Sequence, residues 1–125
     1  NIRVRFKNNL RSNKMNDMNS LLIEGVVKGE PHHEEVGASN RMYFTIEVAR
    51  YDKTLEENDA TERSQFKVVV YGHLSTRSLK DGMGVRLVGR LKQNIWTDSE
   101  GASHSEVQIV AEHIEIKGGR NGKAN

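Results

Sequence analysis

The chain has 125 residues, 35% of them hydrophobic, with no cysteine and a formal net charge of +2. That length supports one domain with a single modest core. Disulfides and thiolate metal sites are excluded. No apolar run approaches the ~20 residues of a membrane span, and "NIRVRFKNNLR" lacks the apolar block of a signal peptide, so a soluble, cytoplasmic protein is expected.

The net charge hides an asymmetry. Residues 1–20 carry five basic side chains against one acidic, and 117–125 carry Lys117, Arg120 and Lys123, whereas 21–116 hold 11 basic against 16 acidic residues. Both ends are rich in Asn or Gly and poor in apolar residues, which predicts flexible basic arms over 1–17 and 117–125 around a domain at 18–116. The chain opens on Asn, with Met15 and Met18 inside it, so residues 1–17 are read as either native or a start-site artefact. The arms could touch nucleic acid or serve only as solubilising tails.

In chain order, "NSLLIEGVVKG" (19–29) predicts a strand bent at Gly25. "EPHHEEVGASN" holds the sole proline and a turn cluster. "RMYFTIEVARY" (41–51) alternates, with Phe44, Ile46 and Val48 on one side and Tyr43, Thr45, Glu47 and Tyr51 on the other. Residues 52–64 read as a polar loop of 13, long enough to be a candidate binding loop. "QFKVVVYG" alternates again, with Phe66, Val68 and Val70 facing inward and Gln65, Lys67, Val69 and Tyr71 outward. "HLSTRSLKDG" (73–82) predicts a helix of about two turns stopped by Gly82. "MGVRLVGRLKQNIW" (83–96) is a long strand, 97–105 a hairpin tip, and "EVQIVAEHIEI" (106–116) the return strand. The inward phase of that strand shifts near Ala111, from Val107 and Ile109 to Ile114 and Ile116, which predicts a bulge. No repeat period or heptad is visible.

Five strands with one short helix between the third and fourth is the element order of the OB-fold, a closed all-β barrel that removes exposed sheet edges. Glycines 25, 72 and 89 fall where such a barrel must bend. On the fourth strand Val85, Leu87, Gly89 and Leu91 point inward, so Arg86, Arg90, Lys92, Asn94 and Trp96 point outward together. A tryptophan in line with cations offers a flat face for bases and positive charge for phosphates, the pairing that single-stranded nucleic acid needs. Lys67 and Tyr71 repeat it on the third strand. Trp96 could equally cap the barrel or fill a subunit contact.

Enzymatic signals are weak. The "HHEE" run at 32–35 lacks the HExxH spacing of a metal site and reads as a solvated loop. His73, His104 and His113 are scattered, and no Ser/His/Asp grouping follows from spacing. "GMGVRLVG" does not open a helix, so it is no phosphate loop. No catalytic residue, metal or cofactor is expected.

Over about residues 18–116 the chain resembles the bacterial single-stranded DNA-binding protein family. "MNSLLIEGVVKGEP", "FKVVVYG", "GVRLVGRLKQNIWTD" and "EVQIVAEHIEI" carry the likeness. The resemblance implies the OB-fold, single-stranded DNA binding in replication, recombination and repair, a nucleoid-associated location, and a homotetramer that recruits replication and repair proteins. It matches Trp96 to the family's stacking tryptophan, Tyr71 to the aromatic before glycine on the third strand, and Lys67 and Lys92 to basic positions. Tyr51 falls within a residue or two of another family tryptophan. Arg86, Arg90 and Lys53 complete the expected contact set.

The departures predict weaker binding or recruitment. Gln65 replaces a tryptophan, and Asn94 and Ile95 replace a basic pair. Loop 52–64 has five acids against Lys53 and Arg63, and "KGGRNGKAN" stands in place of an acidic, Phe-ended tail. Two other readings stay open. One is primosomal replication protein N, a dimeric relative of the same fold that "VVVYGH" and "AEHIEI" resemble. The other is an OB module for protein–protein contact, which the acidic middle favours, although those acids cluster in loops 30–35 and 52–64.

Overall fold

Runs of β-branched and aromatic residues with period-two alternation pair here into five strands. The computed structural model describes residues 15–51 and 61–119. The strands are β1 (Leu21–Val36), β2 (Ser39–Tyr51), β3 (Thr61–Tyr71), β4 (Met83–Thr97) and β5 (Ser103–Gly119), with a 3-10 turn at Gly72–Thr76 between β3 and β4. Their order is β1-β2-β3-β5-β4, closed into a barrel by antiparallel pairing of β4 with β1. Only β3 and β5 run parallel, meeting at Val68–Ile109 and Val69–Val110. This is the OB-fold that the element order predicts.

Alternation sets the interior. Met42, Phe44 and Ile46 from β2, Val68 and Val70 from β3, Val85 and Leu87 from β4, and Ile109, Ala111 and Ile114 from β5 are buried in one cluster. Truncating a fully buried side chain such as Ile46 to alanine costs about 2–5 kcal/mol. Gly25 and Gly89 are fixed by close approach of backbone. A Cβ at Gly25 would collide with the Glu47 carbonyl oxygen, and one at Gly89 with that of Val110. Beside Gly89, the strand register skips Glu112 as it steps from Val88–His113 to Gly89–Ala111, which is the bulge expected near Ala111.

Several boundaries differ from the sequence reading. The first strand runs on through Pro31 to Val36, because residues 32–36 extend the β1–β2 hairpin beyond the barrel. Proline has no N–H to give, and the ladder lapses between Lys28 and His32. Residues 61–64 are strand, not loop, since β2 offers a template out to Tyr51–Thr61. The two-turn helix is only a five-residue 3-10 turn. Its hydroxyls bond backward, Ser75 Oγ donating to the Gly72 carbonyl at 2.6 Å and Thr76 Oγ1 to that of His73 at 2.7 Å, and such bonds compete with a longer helix. The buried Leu79 follows the turn and plugs the core.

The inward sets also need correction. Val107, Ile116, Leu91 and Phe66 are exposed, and Val48 is only half-buried. Phe66, Leu91 and Val107, with Leu21, Leu22, Ile23 and Ile109, instead line an apolar groove. Val69 and Val110 are buried although they lie on the outward parity.

Candidate nucleic-acid interface

The outer wall of β2, β3, β5 and β4 carries Tyr71, Lys67, Lys92 and Trp96, half of the expected residues, because cross-strand partners share a face. Its densest cluster surrounds Tyr71 at the end of β3. Lys92 Nζ donates to the Tyr71 hydroxyl at 3.1 Å and lies 5.4 Å from the ring centroid. The Arg41 guanidinium lies 5.7 Å from the same centroid. Arg41 is the direct β2 partner of Tyr71, and its Nη1 donates to the Tyr43 hydroxyl at 3.5 Å. That bond is the first cause holding the Arg41 pKa above its ordinary value.

Lys67 lies on the same parity of β3. Its Nζ is 3.3 Å from Glu106 Oε2, and Gln108 Nε2 donates to that carboxylate at 2.9 Å. The Gln108 bond first, then Lys67, holds the Glu106 carboxyl below its ordinary range. Gln108 stands opposite Lys92, and Glu106 opposite Asn94.

Trp96 is 43% exposed, directly opposite His104 near the β4–β5 tip. Their rings stack, with centroids 5.5 Å apart and planes 21° from parallel. Asp98 closes the tip: its Oδ1 accepts the Glu100 and Ala102 N–H groups, and its Oδ2 lies 2.7 Å from His104 Nε2. The His104 hydrogen bond, followed by the turn amides, lowers the Asp98 pKa.

The other expected residues stand apart from these clusters. Tyr51 ends β2, highly exposed. Arg86 sits between Glu24 at 3.3 Å and Glu115 at 3.5 Å, and Arg90 meets Glu112 at 3.3 Å. Lys53, most of the loop that contains it, and both outer ends of the chain lie outside the described residues. Sequence reading missed Arg41, whose outward parity with Tyr43 was its only signal, and it treated His104 as one of several scattered histidines. Among the described residues no group of His, Asp or Glu could hold a metal ion, and no helix is long and apolar enough to cross a membrane.

A closed five-stranded Greek-key barrel with aromatic and basic side chains along one wall defines the class, an OB-fold binding module. The model of the single-strand binding protein family matches residues 18–117, and the chain belongs to that family. Single-strand binding is its function at the level of the family. Among solved structures it is similar to the Plasmodium falciparum protein of that family in complex with single-stranded DNA, with TM-score 0.69 and 16% identity over 82% of this chain and 97% of that one. It is also similar to the wild-type single-stranded DNA-binding protein of Thermus aquaticus, with TM-score 0.66 and 20% identity over 83% of this chain and 52% of that one.

Proposed function

We propose that the chain binds single-stranded DNA along the outer wall of β3, β5 and β4, stacking bases on Trp96 and Tyr71 and drawing phosphates to Arg41, Lys92 and Lys67. The observation that carries this reading is the Tyr71 ring with Arg41 and Lys92 both close to its centroid, at 5.7 and 5.4 Å, and Trp96 on the Lys92 parity of β4. Flat rings beside cations suit any base and give binding without sequence preference. Tyr51, Lys53, Arg86 and Arg90 are secondary contacts in this reading. The two arginines would have to exchange glutamate for phosphate. The wall needs no cofactor and performs no chemistry on the strand.

Adding oligo(dT) should quench the emission of Trp96 saturably. As the only tryptophan, it reports this site alone. Unchanged emission under conditions where the DNA is bound would contradict the placement.

Assembly is part of the proposal. On the outer face of β1, Leu22 is 69% exposed, opposite the partly exposed Val88, and the Glu24–Arg86–Glu115 ion pairs lie beside them. An apolar strip edged by both charges is self-complementary, which suits isologous pairing into a homotetramer. Light scattering at micromolar concentration should give four copies. Two copies would favour the dimeric arrangement of primosomal replication protein N, and a monomer would rule out both. Recruitment of replication and repair proteins and a cytoplasmic, nucleoid-associated location belong to the same reading.

A further inference from the structure

One face of the Trp96 ring is already occupied. His104 stacks on it, and His104 is itself held, with Nε2 2.7 Å from Asp98 Oδ2. Asp98 is fixed in turn by the Glu100 and Ala102 N–H groups, each 2.9 Å from Oδ1. The tip turn thus positions a carboxylate, the carboxylate an imidazole, and the imidazole the plane of the indole. An acceptor at Nε2 places the proton of the neutral ring there. Nδ1 then has no hydrogen-bond partner among the described residues. A second proton would make Nδ1 a donor and the ring a cation parallel to the indole.

We propose that His104 is a further single-strand contact that makes binding proton-linked. It backs Trp96 on one face, while Nδ1–H, gained on protonation, donates to a phosphate beside the base stacked on the other face. This rests on the placement of DNA at Trp96.

The charged groups around the imidazole are few. Asp98 touches it, and Glu100 lies in the same turn. Glu106, two residues along β5, is engaged by Lys67 of β3 and by Gln108, while Asn94 opposite Glu106 on β4 is uncharged. None of these occupies Nδ1. A phosphate that accepts from Nδ1 favours the doubly protonated ring, so the complex takes up a proton. Affinity then rises as pH falls, by at most about tenfold per pH unit for one proton.

The test has two arms. Without DNA, Trp96 emission is followed from about pH 8 to about pH 5, across the range where histidine titrates. A contacting imidazolium quenches excited indole, so the emission should fall in the native chain and stay flat in His104→Phe, which keeps a ring under the indole. With oligo(dT) at constant salt, the native chain should bind about three- to tenfold tighter at pH ~6 than at pH ~8, and His104→Phe should lose that gain, its own affinity being the same at both pH values. If the two proteins show the same pH dependence while oligo(dT) still quenches Trp96, the inference is overturned and the site stands. If oligo(dT) leaves the emission of the native chain unchanged, the placement of DNA at Trp96 fails and takes the inference with it.

Discussion

Strand β4 aims Arg86 and Lys92 from the same parity, yet the two cations keep different company. Arg86 lies on the β1 wall between Glu24 and Glu115, and Lys117 also approaches Glu24 at 3.9 Å. Lys92 lies on the β3 wall against the Tyr71 ring and hydroxyl, and makes no ion pair with the described residues. An exposed ion pair is worth only about 0–1 kcal/mol, so neither wall is built for stability by its charges. The difference is in availability. A phosphate approaching Arg86 must displace two carboxylates, whereas one approaching Lys92 displaces only a neutral hydroxyl and gains a neighbouring π-face. A row of cations on one strand is therefore not one site. The partners supplied by adjacent strands divide it.

The contrast can be broken most forcefully at Trp96. Stacking contributes roughly 1–3 kcal/mol per base, so Trp96→Ala should weaken oligo(dT) binding by about one to two powers of ten. Trp96→Phe should recover part of that loss. Melting temperature and mass measured on the same variants separate this from a structural role. If Trp96→Ala melts early or dissociates yet binds normally when folded, Trp96 caps the barrel or fills an interface instead.

The cations sharpen the contrast further. Lys92→Ala and Arg41→Ala should each weaken binding several-fold and flatten the log–log salt dependence by about 0.7, the share of one phosphate on a single strand. Arg86→Ala, a secondary contact already held by two carboxylates, should change affinity and slope much less than either. Equal effects from Arg86 and Lys92 would erase the distinction between the two walls. The slope of the native chain should itself be shallow, because acidic residues outnumber basic ones by 16 to 11 over residues 21–116.

The smallest effect is on acid stability. Asp98 and Glu106 both have carboxyl pKa values lowered in the folded chain, chiefly by His104 and Gln108 respectively. A lowered folded value contributes stability that is complete above the ordinary carboxylate range, about pH 4, and is lost as pH falls through the lowered value. Melting temperature should therefore drop slightly further on acidification in the native chain than in Glu106→Gln. Indistinguishable acid profiles would deny Glu106 that role.

The walls were partly legible in the sequence. Alternation in 41–51 and 83–96 marks Phe44 and Ile46 of β2 and Val85, Leu87 and Gly89 of β4 as inward, and with them the outward row from Arg86 to Trp96. It carries the inward face too far, to Val48 and Leu91. The phase slip near Ala111 announced the Glu112 bulge. Other features depend on partners far away in the chain. The role of Arg41 comes from Tyr71, thirty positions on, and the ladder that joins them has no local signature. His104 faces Trp96 only because the tip turn spans 98–102, so that the hairpin register places the two opposite each other. The strand through Pro31 was hidden because a hairpin arm beyond a barrel needs no apolar face. The 3-10 turn was read as a helix because hydroxyls that bond backward within a turn leave no periodic trace.

The central claim is that the strand lies on the Tyr71–Trp96 wall and not on the Leu22–Arg86 wall. Photocrosslinking tests it most directly. Oligo(dT) carrying 5-iodouracil, which forms adducts with aromatic side chains on irradiation, is bound to the native chain, and the modified residues are located by peptide mass spectrometry. The account predicts adducts on Trp96 and Tyr71. Adducts confined to the peptides of β1 around Leu22 and of β4 around Arg86, with both aromatics unmodified, would contradict it.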